Sequence, residues 1–261
     1  MDLRKSKYII PNSFTLTSAF LGLMAVIWAA GGTDGDMKKA VVAIVIAMLA
    51  DTMDGKMARL TNTQSRFGVQ MDSLADAISF GLAPAAVAYL YGVGQVTWGG
   101  VPVGLIGVFI YMAAGIMRLA RFNLGAETNK KPAKFFEGLP IPGGAGAVAT
   151  FLWVSLDLGM PRAETAVILT LVMPLLGILM ISRVPYISLK HVKWAWYKRA
   201  GAVLAATVLI LIAIKTKTSF VLLSVAVLYI VFCPLRAGVG LFAHKLSGPD
   251  TEEDPEETLD G

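Results

Sequence analysis

The chain is short of cysteine, of histidine and of charge, and each shortage excludes something. One cysteine, Cys233, among 261 residues rules out an internal disulfide, and its place inside an apolar run suggests no redox chemistry. The two histidines, His191 and His244, each stand among basic neighbours with no acid partner nearby, so neither is given a substrate role. Charged residues make up 16% of the chain, against about 25% in an ordinary soluble domain. No internal repeat is visible, and no polar stretch is long enough to stand alone as a soluble domain. What is abundant is apolar: 56% of residues are hydrophobic, and the mean hydropathy is +0.65. Apolar runs of membrane-spanning length recur, which predicts an all-α, polytopic integral membrane protein.

About eight transmembrane helices are expected, near 13–31, 38–60, 70–92, 101–124, 141–158, 163–181, 199–215 and 218–241. Residues 1–12 read as a basic, amphipathic interfacial helix, residues 13–246 as the membrane domain and 247–261 as an acidic, disordered tail. A signal peptide fits the N-terminus poorly, because the apolar run continues past Pro11-Asn12 to Ala30 without a clear small-residue cleavage site. The net charge of +5 hides an asymmetry. Setting aside the seven acids after Ser247 leaves +12 on the membrane body, a bias suited to anionic lipids or phosphate substrates rather than nucleic acid. With the N-terminus inside, the 23 lysines and arginines divide 18 to 5 in favour of the cytoplasmic segments, so both termini are expected in the cytoplasm. The stretch from Arg183 to Lys198, with its Tyr, Trp and Lys, reads as an interfacial belt.

Four acids break the apolar pattern: Asp51, Asp54, Asp72 and Asp76. The first two are three residues apart and the last two four apart, so on helices each pair shares a face. Facing one another, the pairs would form a carboxylate cage, and uncompensated acids at membrane depth are costly. Divalent cations would neutralise them, since hard ions such as Mg2+ or Mn2+ prefer oxygen ligands and two of them balance four carboxylates. Gly55 and Ala58 follow Asp51 on its helical face, and Gly68 precedes Asp72 by one turn. Small residues there allow close helix packing, or close approach of a ligand to the backbone. Arg59, one turn beyond Gly55, can reach a phosphate oxygen. Metals, open backbone and an arginine together describe a pyrophosphate site.

The pattern Asp51-x2-Asp54-Gly55-x2-Ala58-Arg59-x8-Gly68-x3-Asp72-x3-Asp76 resembles the signature of the CDP-alcohol phosphotransferase family at every fixed position and gap. A looser likeness lies in Met117–Asn123, Phe136–Pro142 and Val184–Lys190, which are similar to segments of bacterial and archaeal phosphatidylserine synthases. The resemblance implies transfer of a phosphatidyl group from CDP-diacylglycerol to an alcohol, L-serine in that subgroup, with release of CMP. It implies that Asp51, Asp54, Asp72 and Asp76 hold two divalent cations. Gly55, Ala58, Arg59 and Gly68 would contact the nucleotide and its phosphates, and Asp76 would serve as general base. A homodimer in a prokaryotic cytoplasmic membrane, with the site on the cytoplasmic side, is implied as well. Arg118, Arg121, Asn123 and Glu137 are candidates for binding the acceptor or a lipid phosphate, against the alternative that the arginines merely flank a span.

Three other readings compete. A cation transporter would spread its acids over several helices near the midplane, whereas these cluster on two consecutive spans beside an arginine. A membrane prenyltransferase also uses Asp-rich helices, but the Gly55-to-Arg59 and Gly68-to-Asp76 elements argue against it. A sister phosphotransferase using glycerol 3-phosphate or inositol phosphate differs only through the looser likeness.

Overall fold

The computed structural model describes residues 3–60, 65–128, 135–187 and 218–246. Helix α1 runs from Leu3 to Ala30 and turns at Gly31-Gly32 into α2, Asp34–Leu60. The start of α2 is capped reciprocally: the Asp36 N–H donates to Thr33 Oγ1 at 3.1 Å, and the Thr33 hydroxyl donates to Asp36 Oδ2 at 2.7 Å. The two helices pack along their length as a hairpin with an alanine-rich seam of Ala25, Ala29, Ala40, Ala43 and Ala47, all buried. Helix α1 is continuous through Pro11-Asn12. The basic stretch expected to form an interfacial helix is helical from Leu3 and joins the first long helix without a break.

Helix α3, Arg66–Asp76, starts at Ser65, whose Oγ accepts from Gly68 N at 3.0 Å. It passes without a break through a π-helical turn, Ala77–Leu82, into α4, Ala83–Tyr91. Helix α5 spans Val103–Thr128, α6 Ile141–Leu158, α7 Arg162–Ile181 and α8 Thr218–Leu246. Among the described residues, five helical stretches are long and apolar enough to cross a bilayer: Asn12–Ala30, Phe67–Tyr91, Val103–Leu124, Ile141–Leu158 and Arg162–Ile181. These match five of the eight expected spans. Helix α2 covers a sixth, but Lys38 and Lys39 on one side and Asp51, Asp54 and Lys56 on the other confine its unbroken apolar run to residues 40–50. Thr218–Phe232 is a shorter apolar stretch of α8, and the expected 199–215 span and the acidic tail lie outside the described residues.

The all-α expectation omitted one element. Strands β1, Phe135–Glu137, and β2, Pro185–Ile187, pair antiparallel with Phe136 opposite Tyr186. They belong to two of the segments that carry the looser family likeness. Gly138 makes the exit from β1 at φ 78°, donating its N–H to Val184 O, where a Cβ would collide with the Met180 carbonyl. Tyr186 is fully buried and its ring lies 5.7 Å from that of Tyr229 on α8, which seats the sheet against the last helix.

Candidate active site

The end of α2 and the length of α3 bring three of the four motif aspartates together. Asp51, Asp72 and Asp76 are half-buried and present carboxylate oxygens within 4.8 Å of one another. Asp54, three residues along α2 from Asp51, stands apart from this trio. It is 6% exposed and accepts a 2.7 Å hydrogen bond from the Thr15 hydroxyl of α1, within electrostatic reach of Asp76.

Like charges this close cannot all ionise unless protons or a cation come between them. Three converging hard oxygen donors at the edge of an apolar bundle fit a divalent cation of the magnesium or manganese kind, and offer nothing soft that would favour copper or iron–sulfur chemistry. The small residues of the motif frame this cluster differently. A Cβ at Gly55 would meet nothing within 4 Å, so the backbone of α2 lies open there. Gly68 instead closes against Ser65 Oγ, at 3.2 Å from its would-be Cβ, and supplies the N–H that Ser65 caps. Ala58 and Arg59 continue α2 through its last turn, and their side chains lie outside what is described.

The four candidate acceptor residues separate by role. Arg118 is 9% exposed, and its Nε has no hydrogen-bond partner among the described residues. Its charge acts on Asp76. Arg121, one turn further along α5, is committed elsewhere: it donates to Ile181 O and Glu137 O, each at 3.1 Å. It thereby ties the end of α7 and strand β1 to α5, a favourable place for a cation because helix C-termini carry unsatisfied carbonyls. Glu137 is exposed, with its carboxylate 3.8 Å from Arg121. Asn123 exchanges hydrogen bonds with the Ser73 hydroxyl at 3.0 and 3.1 Å and reaches Gln70, fastening α5 to α3. Of the four, Arg118 is the buried one, and its charge acts on Asp76.

Residues that the sequence reading passed over complete the frame. Thr15 holds Asp54. Ser18 donates to Ser79 Oγ at 3.2 Å, and Gly22 lies so close to the Ser79 backbone that a Cβ would come to 2.8 Å. The signal was present as small or hydroxylated residues at helical spacing on α1, Thr15, Ser18, Gly22 and Ala25, within an otherwise bulky apolar run.

Comparison with known proteins gives the chain a family. The chain is 40% identical over 189 residues to the CDP-diacylglycerol–serine O-phosphatidyltransferase of Helicobacter pylori strain 26695, covering 72% of this chain and 75% of that one. It is 35% identical over 180 residues to the enzyme of the same name from Mycobacterium leprae, covering 68% and 57%. It is 34% identical over 143 residues to that of Methanocaldococcus jannaschii, covering 55% and 61%. The family description CDP-alcohol phosphatidyltransferase matches residues 8–176. That match begins in α1 and ends within α7, so it takes in the whole aspartate cluster, and the chain belongs to the CDP-alcohol phosphatidyltransferase family.

Proposed function

We propose that this membrane protein transfers the phosphatidyl group of CDP-diacylglycerol to L-serine and releases CMP. The observation that carries the reading is the convergence of Asp51, Asp72 and Asp76 from consecutive membrane helices, in a chain whose relatives bear that activity in their names. Asp51, Asp54, Asp72 and Asp76 would hold two divalent cations, Mg2+ or Mn2+. When bound, these ions would neutralise the diphosphate and stabilise the departing CMP. The open backbone at Gly55 lets the nucleotide approach α2, with Ala58, Arg59 and Gly68 as its further contacts.

The reaction is an in-line substitution at the phosphorus that carries the diacylglycerol oxygen. The serine hydroxyl oxygen forms the new P–O bond, and the bond to the CMP oxygen breaks with its electron pair leaving on CMP. Asp76 takes the serine proton as the hydroxyl becomes acidic during attack. Arg118 supplies a buried cation beside Asp76 for the serine carboxylate or a lipid phosphate. Arg121, Asn123 and Glu137 are reassigned as the brace that holds α3, α5, β1 and α7 in place. The distribution of lysine and arginine supports a cytoplasmic-facing site in a prokaryotic cytoplasmic membrane, with anionic lipids around it. A homodimer follows from family resemblance and is checked by crosslinking in membranes.

The test is an acceptor panel. Purified protein, CDP-diacylglycerol and Mn2+ or Mg2+ are given each alcohol in turn, and CMP is measured. CMP release with L-serine is expected. Release with glycerol 3-phosphate or an inositol phosphate instead would move the chain to a sister activity, and none with any alcohol would overturn the transferase chemistry. In the same assay Arg118→Ala raises KM for serine or for CDP-diacylglycerol by about tenfold or more. If neither changes, Arg118 contacts neither substrate.

A further inference from the structure

The π-turn that follows Asp76 has a cause in the sequence. In an α-helix the Phe80 carbonyl would accept from the N–H of residue 84, but residue 84 is proline and has no N–H. Its ring also crowds the carbonyl four residues back, so the regular ladder cannot close there. The Ala83 N–H reaches back five residues to Ile78 O, and the helix takes the wider path over Ala77–Leu82. The turn is buried at Ser79, Phe80 and Gly81, where a stranded carbonyl would be expensive. The Tyr111 hydroxyl answers it from α5. Tyr111 is 0% exposed, and its OH donates to Phe80 O at 2.8 Å.

The location gives this bond a function. Asp76 is the last residue of α3, one helical turn before Phe80. On α5, Arg118 lies seven residues after Tyr111 and so on the same face. One face of α5 therefore grips the π-turn and sets a cation beside Asp76. From the other side, α1 presses Gly22 and Ser18 against Ser79. Removing the extra residue of path from the turn would swing Asp76 by about 100° relative to α4.

We propose that Tyr111, by donating to the Phe80 carbonyl that Pro84 leaves without its helical partner, pins the π-turn and so fixes where the Asp76 carboxylate stands. Tyr111 is a positioning residue that acts through the backbone. The inference deepens, and rests on, the phosphatidyltransferase reading of the aspartate cluster.

Two substitutions test it in the full-length protein, each read by three measurements: CMP release, Mn2+ binding followed by electron paramagnetic resonance, and thermal unfolding in detergent. Tyr111→Phe keeps the ring and removes the hydroxyl. It is expected to lower kcat about tenfold and weaken Mn2+ binding several-fold, with KM for serine changed far less. Pro84→Ala returns an N–H to the ladder and lets the helix close towards α geometry. It is expected to keep or raise the unfolding temperature while losing kcat and Mn2+ affinity, a separation that a purely structural role for the turn would not produce. If folded Tyr111→Phe keeps both kcat and Mn2+ affinity within about twofold of the unaltered protein, the proposal is overturned. If Tyr111→Phe does not fold, Pro84→Ala decides by the same criterion. Mn2+ binding tests the pin even if serine proves to be the wrong acceptor, whereas absence of serine-dependent CMP release by the unaltered protein counts against the reaction alone.

Discussion

At the start of α2, Lys38 meets Asp157 of α6 at 2.6 Å, and Lys39 meets Asp36 at 3.0 Å. At the far end of the same helix, about 20 Å away, Asp51 meets Asp72 and Asp76. Among the described residues, Asp34, Asp36 and Asp157 at the first end each meet a base. Asp157 also accepts from Ser219 of α8 at 2.7 Å. Arg162 donates to Asp34 and to Gly32 O, at 2.6 and 2.7 Å, and lies over the Tyr91 ring. Acid faces base there, and the product is adhesion among α2, α4, α6, α7 and α8. At the second end acid faces acid, which holds nothing together by itself. Groups whose arrangement weakens the apoprotein persist where something else is to be bound, and this contrast supports the proposal that the second end is the working one.

The contrast can be broken in order of expected effect. The largest belongs to the acid end: Asp72→Asn should cut CMP release by about a thousandfold, as chelation by EDTA should for the unaltered protein. In metal-free detergent the variant should unfold no earlier than the unaltered protein, because a like charge has been removed. A marked fall in unfolding temperature would show that the acid cluster is structural after all. Next comes Asp157→Ala, which strands Lys38 and Ser219. A loss of about 1–2 kcal/mol of stability with unchanged kcat is expected, a modest figure because Lys38 is half exposed. A drop in kcat without loss of stability would join the two ends functionally and dissolve the distinction. The smallest effect concerns Asp36, whose carboxyl is held below its ordinary value of 3.8 first by the Thr33 hydroxyl and then by Lys39. A lowered folded pKa means that the stabilisation is present above the unfolded value and disappears as acid carries the pH through the folded one. The melting difference between the unaltered protein and Asp36→Asn should therefore be small at neutral pH and vanish in acid. A difference that grows on acidification would reverse the sign.

Much of the site was legible because polarity is so rare in these helices. Asp51, Asp54, Asp72 and Asp76 interrupt apolar runs at helical spacing, and helical geometry alone predicts which of them share a face. The bounds of α6 and α7 followed from apolar runs ending at Gly159 and near Ser182. Contacts between distant segments were hidden. Nothing local says that Thr15 reaches Asp54, 39 residues away, or that residues 135–137 pair with 185–187. Arg118 and Arg121 look alike in sequence, one turn apart on the same side of α5. Only packing decides that one stands by Asp76 while the other bonds to carbonyls of two separate segments. The π-turn is intermediate. Pro84 announces a broken ladder, but Tyr111, 31 residues from Phe80, cannot be named as its partner without the fold.

The β1–β2 pair also fixes an order of events during synthesis. All four motif aspartates have been made before a third of the chain is complete, yet β1 cannot find its mate until Pro185–Ile187 emerge behind α7. Arg121 waits too, since one of its two acceptors is Ile181. A nascent chain paused after α6 would carry the four acids with α5, β1 and the end of α7 not yet tied together, and translation past β2 is the step that lets that tie form.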